Sequence, residues 1–365
     1  MDINDYIIYI MLFFMVLAAF DKIIGNKFKL GDKFDEGFMA MGPLAIAMIG
    51  IVSIAPVLAK VLGFIVVPAY EFLGADPSMF ATSLLANDMG GYPLAMAMAK
   101  TQEAGLFAGL ILGSMMGPTI VFTIPVALGI LEKKDHQFLA AGVMIGVVTI
   151  PLGCLVGGLV AGFELQMILV NLLPIVLFSI IIAGGLWLKP SLMIRLFDLF
   201  GKGLIAFVTL CTVVSVIEAL TGFVIIPGMT PISEGITIVG SIAIVLIGAF
   251  PMVYVISYVL KKPLMKFGNL LGMNSEAATG MIATLANVIP MLHILKDMNP
   301  KGKLLNLAFA VSAAFAFGDH LGFTAGVEKS MIFPMIAGKL TGGITAIALA
   351  YFLSDKLIKK KYLIK

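Results

Sequence analysis

The sequence predicts an all-α, polytopic membrane helix bundle made of two inverted repeats, each containing an interrupted or re-entrant segment. Three observations predict it. Hydrophobic residues make up 60% of the 365-residue chain and charged residues only 12%, whereas a soluble domain carries roughly 25% charged residues. That leaves too little polar surface to cover a water-exposed globule, and mean hydropathy is +1.08. Apolar stretches of bilayer length recur along the chain. Finally, EGFMAMGPLAIAMIG at residues 36–50 and EGITIVGSIAIVLIG at 234–248 match without a gap at seven of fifteen positions, Glu36/Glu234 and Ile49/Ile247 among them. A duplicated membrane segment with paired polar positions is the mark of a secondary transporter, whose site forms where the repeats meet.

A bilayer core roughly 30 Å thick needs about 20 apolar residues to span it. The stretches that qualify are 6–25, 37–60, 104–131, 136–163, 165–188, 203–226, 236–260, 303–323 and 326–354. Two others, near 76–99 and 275–297, are broken by polar residues, Gly and Pro. Both carry Leu-Ala-Asn followed by proline: Leu85-Ala86-Asn87 with Pro93, and Leu285-Ala286-Asn287 with Pro290. Proline frees a carbonyl, which is tolerated at membrane depth only beside protein or a wet cavity.

Lysine placement decides how these two segments run. If both turn back, with the N-terminus outside, the loops carrying Lys22 to Lys33, Lys133/Lys134, Lys189 to Lys202, Lys261 to Lys266 and Lys296 to Lys303 all fall inside with the tail from Lys356. Treated as full spans, they push several of those loops outside, against the positive-inside rule. Five spans then separate the two repeat starts, so the halves insert with opposite orientation. Asp21 with Gly25 is spaced like Glu218 with Gly222, and Gly117, Phe122 and Thr123 correspond to Gly318, Phe323 and Thr324. The expected organisation is a first repeat at 1–163, a connecting helix and loop at 164–202, a second repeat at 203–354 and a basic cytoplasmic tail at 355–365.

The net charge of +3 with lysines in short loops is a topology signal rather than a nucleic-acid patch. Cys154 and Cys211 have no Cys or His at ligand spacing, so no disulfide, metal or cofactor is expected. No nucleophile elbow, P-loop or zinc-protease motif occurs, which argues against an enzyme.

Ionisable groups inside spans cost about 2.5–3.5 kcal/mol at a helix centre on insertion scales and signal function by default. Asp88, within the first broken segment, is the leading candidate, with a helix-cap carboxylate as the bland alternative. Glu218 lies within a helix, as either a site carboxylate or a structural hydrogen-bonding group. Asp319 with His320, near a span end, reads as a proton or ion-coupling pair or as a cap. Asn87 and Asn287 read as substrate-facing amides or as interhelical glue. Tyr92 offers an aromatic face to a cation. Trp187, at a span end, reads as an interfacial anchor, and Asp21, at the end of the first helix, needs no special role.

Several runs carry a family resemblance: EGFMAMG (36–42), PSMF (77–80), LLANDMGG (84–91), LILGSMMGPTIVF (110–122), IPVALGI (124–130), GCLVGGLV (153–160) and GDHLGFTA (318–325). Together they resemble the EutH family of ethanolamine-utilisation permeases over nearly the whole chain, with a shorter loop near 25–34 than in longer members. The resemblance implies a bacterial plasma-membrane protein that imports ethanolamine. The residues read above fit such a substrate: a small ammonium ion asks for a desolvated carboxylate, and its hydroxyl for an amide or backbone partner. Other readings are a transporter of another small amine or cation, or a membrane-embedded sensor or scaffold.

Overall fold

A computed structural model describes residues 2–359, and every regular element among them is helical. In chain order these are α1 (Ile3–Ile23), α2 (Leu30–Met39), α3 (Met41–Phe72), α4 (Ser78–Leu84), α5 (Gly91–Met98), α6 (Gln102–Ile130), α7 (His136–Val160) and α8 (Leu165–Leu188). They are followed by α9 (Pro190–Thr221), α10 (Ile232–Leu270), α11 (Ser275–Ala286), α12 (Val288–Ile294), α13 (Pro300–Ala313), α14 (Asp319–Val327) and α15 (Ile332–Lys359). Eight stretches are long and apolar enough to cross a membrane, carried by α1, α2–α3, α6, α7, α8, α9, α10 and α15. This is a multi-pass membrane protein. The tail expected at 355–365 lies outside the described residues from 360 onward.

One expected span differs. The stretch 303–323 is not a continuous helix but α13 and α14, separated by an unwound segment at 314–318. Phe315 sits there at φ +64°. The unwound amides of Phe315 and Phe317 donate to the carbonyls of Thr284 and Leu285 at 3.1 and 2.9 Å. A break at membrane depth is tolerated because a neighbouring backbone takes up the freed groups, and hydropathy, being local, cannot register that neighbour.

The two interrupted segments form hairpins whose ends are tied together. The first is α4, a 3₁₀ turn at Asn87–Met89, and α5. Asp76 at its start accepts from the Lys100 amide at its end at 3.0 Å, and the Asp76 amide donates to Asn171 of α8 at 2.7 Å. In the second hairpin, α11 and α12, Asn274 at the start donates to the Asp297 carbonyl and accepts from the Asn299 amide. The adjoining Lys303 forms a buried ion pair with Asp135 at 2.6 Å, with 8% and 2% of the side chains exposed. Gln102, beside the first hairpin's base, begins α6, and Asp135, beside the second's, lies just past its other end. The two hairpins therefore enter the bundle from opposite ends, the second from the lysine-rich one.

Contacts between the halves come in reciprocal pairs. Gly37 lies against the backbone of Ile247, and Gly235 against that of Ile49. Gly50 lies against Val208 and Thr212 of α9, and Gly248 against Met11 and Met15 of α1. In the other part of the bundle α7 and α15 meet at Gly153, Gly157 and Gly338, so close that no Cβ fits between the backbones.

Asp21 accepts from the amides of Phe28, Leu30 and Gly31. It closes the turn between α1 and α2, where its position alone asked for no special role.

Candidate functional site

Three broken elements converge at the centre. The turn of the first hairpin carries Asp88 and ends at Gly90, whose φ of +87° places the chain in the left-handed region and whose missing side chain lets it lie on Ile51 of α3. The start of α14 carries Asp319 and His320. Helix α6 is irregular at the same level, with π turns at Phe107–Ile111 and Thr119–Thr123 flanking a 3₁₀ turn at Leu112–Ser114. Such interruptions recur at functional sites.

Two glycines make the convergence close. A Cβ on Gly117 of α6 would stand 2.0 Å from the Leu85 carbonyl oxygen, and one on Gly318 would stand 2.0 Å from that of Ala286. Each hairpin tip thus packs backbone to backbone against a broken helix. The Ala286 carbonyl is available because Pro290, four residues on, has no amide to offer it.

Between these elements lies a cavity of about 40 Å³ lined by Asp88, Asp319, His320, Phe122, Phe315 and Pro118, with Ala86 and Met89. One water needs about 10–15 Å³ on this measure, so the space suits a few waters or a solute of a few heavy atoms. The two carboxyl groups come from different halves of the chain and face one space. The rings of Phe122 and Phe315 stack edge to face at 5.6 Å, and Phe315 also contacts the His320 ring at 5.1 Å.

Two larger clefts adjoin the cavity. One, of about 460 Å³, reaches Asp319 and runs past Asn287, Pro290 and Tyr254 to the ion pair of Lys33 with Glu36 at the lysine-rich end. The other, about 410 Å³ and mostly apolar, touches Met89 and Phe122 and ends near the Asp198–Lys202 pair. The cavity is approached from one end of the molecule.

One further group adjoins the site through His320, and it does not stand out in the sequence analysis. Lys339 of α15 is only 1% exposed. Its ammonium donates to the Ser114 carbonyl and lies 3.0 Å from Nδ1 of His320. When Nδ1 accepts, the tautomer carries its hydrogen on Nε2, leaving a donor for a ligand. A lone lysine in the apolar run MIAGKLTGG (335–343) was the available signal.

The other candidates sit apart from the cavity. Asn87, next to Asp88, is fully buried, and neither of its amide atoms has a protein partner. Tyr92 packs edge to face on Phe323 at 5.7 Å and against Gly109, so the aromatic walls are Phe122 and Phe315 instead. Asn287 lines the larger cleft, where its side chain caps α12 through the Ile289 amide. Glu218 is half-buried near the C-terminal end of α9 and lines neither the cavity nor the clefts beside it. Asp319 and His320 lie not at a span end but at the start of a half-helix in the interior. Trp187 is 57% exposed at the end of α8, as an interfacial residue would be.

The family model described as "Ethanolamine utilisation protein, EutH" matches residues 3–353. The chain is 63% identical to a probable ethanolamine permease EutH of Listeria monocytogenes, over 99% of this chain and 96% of that one. It is 50% identical to the probable ethanolamine permease EutH of Escherichia coli, over 98% and 97% of the two chains. An uncharacterized protein, YxeR, of Bacillus subtilis is 53% identical over 97% and 96%. No solved structure matches the chain.

Proposed function

The chain belongs to the EutH family of ethanolamine utilisation proteins, and on that premise we propose that it is a permease, not an enzyme, that imports ethanolamine through the Asp88–Asp319 cavity. The observation that carries this reading is the pair of carboxyl groups, one from each half, facing a small space with aromatic walls that is reached from one end. Ethanolamine at neutral pH is mostly an ammonium ion. Its nitrogen would lie between the carboxylates and the faces of Phe122 and Phe315, and its hydroxyl would accept from Nε2 of His320. Four heavy atoms suit so small a cavity.

Alternating access follows from the same arrangement. The reciprocal contacts of Gly37 with Ile247 and Gly235 with Ile49 are what a two-fold axis between 1–163 and 203–354 produces, because equivalent residues then swap partners. The glycine pairs at the hairpin tips support the same relation. In this reading the present conformation opens toward the lysine-rich end, which the positive-inside rule makes cytoplasmic, in the bacterial plasma membrane. Exchange of the two halves' roles would close that cleft and open the opposite one. Asp319 and His320, where cleft and cavity meet, are the groups placed to couple a proton or ion.

Uptake of radiolabelled ethanolamine into proteoliposomes tests the reading. Asp88→Asn is expected to leave the protein monodisperse yet weaken saturable uptake, because losing the partner of a desolvated charge costs about 2–5 kcal/mol, roughly 30-fold to several thousandfold in affinity. Wild-type protein without saturable flux would favour a sensor or scaffold. An unchanged Asp88→Asn would remove that carboxylate from the site.

A further inference from the structure

A fully buried lysine beside a site for an ammonium ion needs an explanation. Lys339 lies in the apolar helix α15, where an uncompensated charge is costly. Among the described residues it forms no ion pair. Two neutral acceptors hold it instead, the Ser114 carbonyl and Nδ1 of His320. The first acceptor is built by the sequence. In an unbroken helix the Ser114 carbonyl would receive the amide of residue 118, but Pro118 has none. The turn from Gly113 to Pro118 therefore presents a bare carbonyl to α15, and the Lys339 ammonium takes it.

The arrangement leaves Asp88 without a bonded cation while a cation waits nearby. Asp88 and Asp319 line the same cavity, and among the described residues neither forms an ion pair. His320 joins the two places, since it contacts Lys339 through Nδ1 and lines the same cavity as Asp88. The lysine stem has four rotatable carbons and a compact head with three donors, which suits an ammonium that changes partners.

We propose that Lys339 is a tethered ammonium that competes with the substrate's ammonium for Asp88. With substrate in the cavity, Lys339 is held on Ser114 and His320, the position observed here. When substrate leaves, Lys339 turns onto Asp88, so the emptied site returns with that carboxylate paired and no sodium ion is needed to fill the place. This rests on the reading of the cavity as the ethanolamine site and deepens it: the same carboxylate serves two ammonium groups in turn, one free and one covalently attached. A competing internal ligand also sets release, because it lowers apparent affinity by the fraction of carriers in which it occupies Asp88.

The test uses variants expected to act in opposite directions. Lys339→Gln keeps a donor for the Ser114 carbonyl but removes the charge. Purified and monodisperse, it should bind ethanolamine about 5- to 10-fold more tightly than wild type, as expected when a competitor occupying most carriers is removed. In proteoliposomes its net uptake should fall while ethanolamine-for-ethanolamine exchange persists, since exchange never requires the emptied site to return. Pro118→Ala restores an amide to Ser114 and takes away the lysine's resting place, so binding should weaken. In a Lys339→Gln background the same alanine should weaken binding less than it does in the wild type, and that difference isolates the part acting through Lys339 from the loss of the proline ring at the cavity wall. Weaker or unchanged binding in folded Lys339→Gln, or net uptake and exchange lost together, would overturn the proposal. If Lys339→Gln does not fold, Pro118→Ala decides alone, and unchanged binding there refutes the competition. Absence of ethanolamine binding to the wild type is a different result: it refutes the permease reading and the competition with it.

Discussion

Adding one methyl group at Gly318 is the sharpest way to separate packing from chemistry at this site. The new Cβ would stand 2.0 Å from the Ala286 carbonyl oxygen and 3.0 Å from its carbon. Carbon and oxygen in close backbone contact lie about 3.3 Å apart, so the start of α14 and the end of α11 must separate by about 1.3 Å. Both partners are backbone, so no side-chain rotation relieves the clash. Overpacking of this kind costs about 1–3 kcal/mol, which lowers stability without preventing folding. The functional effect should be larger than the structural one. Asp319 is the next residue, and a displacement of about 1 Å in a positioned group costs enzymes about 10²-fold. Gly318→Ala is therefore expected to retain a monodisperse elution profile in detergent, to melt a few degrees lower, and to lose at least about tenfold in ethanolamine uptake. Gly240→Ala, with nothing within 4 Å of the new atom, is the matched control and should behave as wild type. Wild-type uptake by Gly318→Ala would show that the contact between α14 and the second hairpin does not place Asp319.

Two further outcomes follow from the same packing. Asp135→Ala strands the buried Lys303 ammonium, and breaking such a pair costs about 3–5 kcal/mol; thermal stability in detergent should drop sharply and recover in Asp135→Leu/Lys303→Met, whereas an unchanged melting point would show that the pair is solvated. Single cysteines at the exposed positions Gln102 and Pro300 should react with a membrane-impermeant reagent from opposite sides of intact vesicles, and labelling from one side only would contradict hairpins that enter from opposite ends.

The membrane path was largely legible in the sequence. A bilayer imposes the same demand on every spanning residue, so hydropathy reports spans locally, without knowledge of neighbours. The break at Asn87 and Pro93, and its counterpart at Asn287 and Pro290, could be read for the same reason: proline and glycine act on their own backbone. Asp88, Asp319 and His320 stood out because ionisable residues are rare at such depth. Other features belong to the tertiary structure alone. Nothing in the run around 303–323 announces that its helix unwinds at Phe315, because the carbonyls that make unwinding tolerable lie on another hairpin. Tyr92 and Phe122 are both aromatic residues near a broken segment, and only the crossing of α6 over the first hairpin turns Phe122 toward the cavity and Tyr92 toward Phe323. Glu218 and Lys339 were each a lone charge in an apolar helix; three-dimensional packing left the first half-buried near a helix end and set the second against a carbonyl that a proline on α6 had freed. Composition and local pattern determined which segments enter the membrane and which polar residues go with them. Which of those residues meet was decided by contacts between segments far apart in the chain, where a missing Cβ at Gly117 or Gly318 counts for as much as a charge.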